Sequence, residues 1–239
     1  MPASSPSWPA APIVQIAGVS DLAEARMLAA AGVDWLGFPL RLAVHAPDLS
    51  EDAAARIIRT LRPPHAAVLI TYLDRAATVV DLCRRLGVRR VQLHGPVPAA
   101  ELAAIKARDP GLMVIKSLMV PAAGQPAPPG QPAETELHTA SPHVDAFILD
   151  TYDPATGASG ATGKSHDWAL SRRLVAISPR PVLLAGGLHP ANVAQAIRTV
   201  RPAGVDAHTG VEGADGRKDP DRVRAFLAAA RAAFAETAA

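Results

Sequence analysis

The chain has 239 residues, the length of one large α/β domain or two small ones. It is 49% hydrophobic and only 4% aromatic, so Leu, Val, Ile and Ala fill the core; a formal charge of +2, with no basic run, argues against a nucleic-acid surface. No stretch reaches the ~18 consecutive apolar residues of a membrane span, and a single cysteine, Cys83, excludes an internal disulfide and a cysteine zinc cluster.

Residues 1–11 are rich in Pro, Ser and Ala and lack a charged segment ahead of an apolar one. They read as a flexible N-terminal tail and not as a signal peptide. From there short apolar runs alternate with Ala/Leu/Arg-rich amphipathic stretches. A strand at 13–17 leads to a helix at 21–31, with Ser20 and Asp21 at its start. A strand at 35–40 leads to a helix at 51–61, opened by Ser50, Glu51 and Asp52. Strands at 67–72 and 90–93 are followed by helices at 76–86 and 99–107. The strand at 113–118 runs into 120–133, whose prolines at 121, 126, 128, 129 and 132 exclude helix and central strand. That segment is expected as a long insertion, a lid or only a loop. Strands at 146–149, 182–185 and 204–207 alternate with helices at 168–177, 191–200 and 221–234, the first of these capped at His166-Asp167.

Apolar runs separated by helices belong to a parallel sheet covered by helices. Eight such units in this length fit a single closed (β/α)8 barrel of TIM type over residues 12–236, although an open doubly wound sheet accommodates the same alternation. In a barrel the site lies at the C-terminal strand ends. Gly186 and Gly187 follow the seventh strand, Thr209 and Gly210 follow the eighth, and Gly163 and Lys164 lie in the loop after the sixth. Glycines let backbone N–H groups approach a phosphate, or else only make tight turns. Asp150 closes the apolar run Phe147-Ile148-Leu149. A carboxyl there has a raised pKa suited to a proton donor, or it caps the next loop. His94 and His208 end the fourth and eighth strands and are the other catalytic candidates. Strands one, two, three and seven end without His, Asp or Glu, so a metal centre is not expected.

Several motifs in order carry a family resemblance: Val91-Gln92-Leu93-His94-Gly95, Val114-Ile115-Lys116, Leu149-Asp150-Thr151 and Gly160-Ala161-Thr162-Gly163-Lys164. Ala185-Gly186-Gly187-Leu188-His189-Pro190, Gly204-Val205-Asp206, Thr209-Gly210-Val211-Glu212 and Lys218-Asp219 complete them. From about Ile13 to Phe226 the chain resembles the phosphoribosylanthranilate isomerases of tryptophan biosynthesis, which perform an Amadori rearrangement. The resemblance implies the barrel, a phosphate and substrate site including Gly163, Lys164, Gly186, Gly187, Asp206, Thr209 and Gly210, and Asp150 as the general acid that protonates the sugar ring oxygen.

The chain departs from the family at three places. The family's base is a cysteine in a Lys-Ile-Cys-Gly motif at the end of strand one, where this chain has Gln15-Ile16-Ala17-Gly18. The arginine that meets the anthranilate carboxylate falls opposite Ala46, with Arg41 and His45 at other offsets. The usual Ser-Ser-Gly becomes His208-Thr209-Gly210. Cys83 lies inside the third helix and is a poor substitute for the base. Lys116 matches a lysine in members that use no Schiff base. These departures lead to the expectation of a phosphosugar enzyme with an altered substrate. The alternatives are the ordinary isomerase with a relocated base, His208 or Asp206, and a non-catalytic phosphometabolite binder. No cofactor, nucleic acid or membrane partner is expected, and the chain is expected in the cytoplasm as a monomer or homodimer acting on a small phosphorylated metabolite.

Overall fold

The computed structural model describes residues 8–42, 49–121, 125, 132–153, 158–159 and 167–238. Eight parallel strands close on themselves: β1 (Ile13–Ala17), β2 (Trp35–Pro39), β3 (Ala66–Thr71), β4 (Arg90–Leu93), β5 (Met113–Pro121), β6 (Ala146–Asp153), β8 (Val182–Leu184) and β9 (Gly204–Ala207). Each pairs with the next, β5 with β6 included, and β9 pairs back on β1, with Gln15 opposite Asp206. A two-residue strand, β7 (Ala158–Ser159), adds antiparallel to the end of β6. The closed barrel is the architecture expected, and it resolves the choice against an open sheet.

Helices α1 (Leu22–Ala31), α2 (Glu51–Ile58), α3 (Ala76–Leu86), α4 (Ala99–Arg108), α5 (Ala133–Ala140), α6 (Trp168–Ile177), α7 (Val193–Val200) and α8 (Pro220–Ala238) surround it. The starts read from small polar residues are real caps. Asp21 accepts from Glu24 N, Ser50 from Ala53 N, and Asp167 from Ala169 N and Leu170 N, each satisfying amides that the first turn leaves without a carbonyl.

Alternation along the strands builds two apolar layers. Ile13, Ala17, Val68, Ile70, Met113, Ile115, Ile148 and Leu183 fill the barrel. Val14, Ile16, Leu36, Phe38, Leu69, Val91, Val114 and Phe147 face the helices. At the N-terminal end of the barrel, Asp34 and Asp145 repeat one device. Asp34 accepts from Val14 N at 2.7 Å and pairs with Arg231 of α8. Asp145 accepts from Val114 N at 2.7 Å and pairs with Lys106 of α4. Of the segment read as a tail, residues 1–7 lie outside the described residues. Trp8 packs edge-on against Trp35 with ring centroids 5.3 Å apart.

The segment 120–133 departs from its expectation as one loop. Val120 and Pro121 are the last residues of β5 and pair with Thr151 and Tyr152, and Ala133 opens α5. Proline at a strand end removes no needed ladder bond, and Pro132 sits ahead of a first turn whose amides need no carbonyl. Residues 122–124 and 126–131 lie outside the described residues. No helix among the described residues is long and apolar enough to cross a membrane.

Candidate active site

The C-terminal ends of β6, β8 and β9 surround an open cleft whose walls include Asp150, Gly186, Gly187, Asp206, His208, Thr209 and Gly210. Seven of the ten residues singled out from the sequence therefore meet in one place. Gly163 and Lys164 lie outside the described residues, as do Ala46 and His45. His94 is described and does not line the cleft. It ends β4, packs against the Tyr72 ring at 5.7 Å, and meets Gln92 Nε2 through its own Nε2 at 2.6 Å.

The glycines have identifiable geometric roles. Gly186 and Gly187 adopt φ of 80° and 63°, the left-handed region that side chains disfavour, and so turn the chain sharply after β8. A Cβ on Gly210 would lie 1.9 Å from Leu188 O, so the loops after β8 and β9 touch through backbone. Asn192 braces the first of these loops, donating Nδ2–H to Gly187 O and accepting from His189 N. The result is a cleft wall built from glycine turns, where backbone lies close to the cleft and can approach an anion.

Two carboxyls sit in that wall. Asp150 is buried inside β6, directly after its apolar run Phe147-Ile148-Leu149, and burial pushes it up to about 7 against the opposing hydrogen bond from Thr151 N at 2.8 Å. Asp206 is pushed up to about 7 by burial and then by the nearby Asp150 charge, against a Gln15 hydrogen bond and the charge of Lys218. Both therefore change protonation near neutral pH. His94 goes the other way, held at about 4 by burial and by Lys116, so its imidazole is neutral at pH 7.

His208 stands at the cleft edge with its ring against Gly18. A Cβ on Gly18 would lie 2.1 Å from His208 Nε2. The imidazole thus covers the residue that follows Ala17 at the end of β1. Its Nε2 is 3.4 Å from Glu212 Oε1, and the same oxygen takes Lys218 Nζ at 2.6 Å. Lys218 also donates to His208 O, while its backbone N–H donates to Glu24 Oε1 at 2.9 Å. Glu212 and Lys218 appeared in the sequence only as parts of a motif; their role as a clamp on His208 is set by the fold.

Lys116 is fully buried and bonded to Ser117 O and, at 2.6 Å, to Glu136 of α5. It is a wall-to-helix ion pair. Arg41, in the loop after β2, is held by Glu51 at 2.7 Å and does not line the cleft. Gln15 and Gln92 were passed over in the sequence as site residues. Their signal was period two: each is a polar residue on a strand whose immediate neighbours belong to the outer apolar layer, which turns it inward. Among the described residues no group of three His, Cys, Asp or Glu could hold a metal ion.

Residues 14–229 match the family described as N-(5'-phosphoribosyl)anthranilate (PRA) isomerase. The chain is 35% identical over 225 residues to N-(5'-phosphoribosyl)anthranilate isomerase 2 of Methanosarcina mazei, covering 92% of this chain and 95% of that one. It is 37% identical over 224 residues to the Haloferax volcanii isomerase, covering 92% and 93%. The crystal structure of the Thermotoga maritima phosphoribosyl anthranilate isomerase superposes with a TM-score of 0.76 at 29% identity, over 92% of this chain and 98% of that one. A phosphoribosyl anthranilate isomerase in complex with reduced 1-(o-carboxyphenylamino)-1-deoxyribulose 5-phosphate superposes with a TM-score of 0.74 at 27% identity, over the same shares.

Proposed function

The chain belongs to the N-(5'-phosphoribosyl)anthranilate isomerase family, and on that premise we propose that it isomerises N-(5'-phosphoribosyl)anthranilate with Asp150 as the acid and His208 in place of the cysteine base. The observation that carries the reading is the stacking of His208 on Gly18, beside Ala17, in the cleft that Asp150 lines. A group able to take a proton thus stands next to the strand end whose own side chain, a methyl, cannot.

Asp150, protonated in a good fraction of molecules at neutral pH, donates to the furanose ring oxygen as the C1–O bond breaks and an iminium forms at C1. His208 removes the proton from C2, and those electrons form the C1=C2 bond of an enaminol. Tautomerisation then gives the C2 ketone and a C1 methylene. Glu212 faces His208 Nε2 and favours the imidazolium that results. The backbone at Gly186, Gly187, Thr209 and Gly210 receives the phosphate, joined by Gly163 and Lys164 on the strength of the family motif.

The test follows the fluorescence of N-(5'-phosphoribosyl)anthranilate after protein is added. Turnover is expected, with kcat about 10²–10⁴-fold lower in Asp150→Asn and in His208→Asn. Full activity in His208→Asn removes that residue as the base, and Ala17→Cys then shows whether the older position still serves.

One observation favours a second reading, the same phosphosugar chemistry with a different amine half. Among the described residues no arginine lines the cleft, and Arg41 is engaged by Glu51. Absence of anthranilate turnover, with inorganic phosphate still raising the melting temperature, would select it.

A further inference from the structure

His208 stands in a gap whose two walls are tied to each other. On one side is Gly18, in the loop between β1 and α1, where a Cβ would meet His208 Nε2 at 2.1 Å. On the other is a short hairpin, 212–218, closed by the antiparallel bridge of Glu212 with Lys218 and by Gly213 N on Arg217 O at 2.8 Å. One buried carboxylate joins the walls. Glu24 accepts from Ser20 N at 2.8 Å and Ser20 Oγ at 3.0 Å in the first wall, and from Lys218 N at 2.9 Å in the second. Arg217 adds an ion pair to Asp21 at 2.6 Å. The width of the gap is therefore set by bonded contacts and not by the ring that fills it.

Within the gap one oxygen serves two groups. Glu212 Oε1 lies 2.6 Å from Lys218 Nζ and 3.4 Å from His208 Nε2. The Lys218 side chain is only 1% exposed, so its ammonium cannot turn to water and needs that carboxylate. Its Nζ also donates to His208 O at 3.3 Å. Lys218 thus fixes where Glu212 stands and how much of its charge the imidazole feels. The other charged and titratable groups around the ring are Asp150 and Asp206 in the cleft, and Glu24 and the Asp21–Arg217 pair on the α1 side. His189, in the loop after β8, lies beside Gly210.

We propose that Lys218 is a positioning residue that governs His208 through Glu212: it holds the carboxylate at the ring and, by sharing its oxygen, limits how strongly that carboxylate favours the imidazolium. The bearing on catalysis rests on the base role given to His208 above; the coupling itself does not.

NMR titration of the full-length protein follows the His208 ring protons, assigned by their loss in His208→Asn. Glu212→Gln removes the negative neighbour, and the midpoint is expected to fall by about one pH unit. Lys218→Met removes the positive one and leaves the carboxylate to the ring, so the midpoint is expected to rise. Asp150 and Asp206 are present in every protein compared, so their own titration drops out of the differences. Shifts of opposite sign are the signature of a shared charge, since a hairpin that merely loosened would move both variants the same way. Shifts of one sign, or none, overturn the proposal. Where either variant does not fold, two milder ones replace it with the same expected directions. Glu212→Asp draws the charge back from the ring, and Lys218→Gln keeps a donor to Glu212 without its charge.

In turnover of N-(5'-phosphoribosyl)anthranilate the acid limb of kcat/KM is expected to follow the midpoint, down in Glu212→Gln and up in Lys218→Met. A limb that stays in place while the midpoints move removes His208 as the base and leaves the coupling standing. Absence of turnover in the wild type counts against the function proposed above, while the NMR midpoints still decide the coupling.

Discussion

Asp150 and Asp206 are carboxyls that the fold largely buries in the wall of the cleft, and their chemistry and their cost have the same origin. Burial raises both to about 7, so each stays protonated in the folded chain at pH values where the unfolded chain is ionised. The stability each contributes is full below the unfolded carboxylate range near pH 4. It is lost as pH rises through about 7. Asp206→Asn is therefore expected to be more stable than wild type at pH 8, on the order of a few kcal/mol, with the gain vanishing toward pH 4. Urea unfolding at the two pH values checks this, and an equal change at both would place the effect in packing. At the same scale the sequence was informative where a polar residue ended an apolar run. Asp150 was legible because Phe147-Ile148-Leu149 led up to it. For Gln15 and Gln92 period two tells only that they face inward; what they meet there depends on which strands pair.

Among the elements, the meeting of the loops after β8 and β9 governs the anion wall. Gly210 touches Leu188 O so closely that any Cβ forces the two loops apart. Gly210→Ala is expected to destabilise by about 1–3 kcal/mol and to abolish the rise in melting temperature that inorganic phosphate produces. A variant that keeps the phosphate response would show that the loops need not touch to bind the anion. The glycine turns were readable because their spacing after apolar runs is local. Helix α5 was not, since its eight residues follow a dense run of prolines that reads as loop. Its local cues, Glu134 and Glu136 in the first turn, are weak, and it is held by tertiary contacts, Leu137 in the outer core and Glu136 on Lys116.

Over the whole molecule the two ends of the barrel divide their work, chemistry at the C-terminal strand ends and stability at the other. Trp8 against Trp35, with Arg90 over the Trp35 ring at 5.1 Å, closes the second end. Trp8→Ala is expected to lower the unfolding free energy by about 1–2 kcal/mol while leaving kcat unchanged, measured by urea titration beside the fluorescence assay. A fall in kcat would couple the two ends. The sequence by itself determined the eight-fold alternation, the capped helix starts, the glycine turns and Asp150, because each depends on residues within one or two turns of one another along the chain. Only the tertiary structure decided that the sheet closes, that Gln15 lies opposite Asp206 and meets Gln92, and that His208 lies against Gly18 at the end of β1. Those are meetings across 77 to 191 positions of chain, created by strand pairing and barrel closure, and no local pattern encodes them.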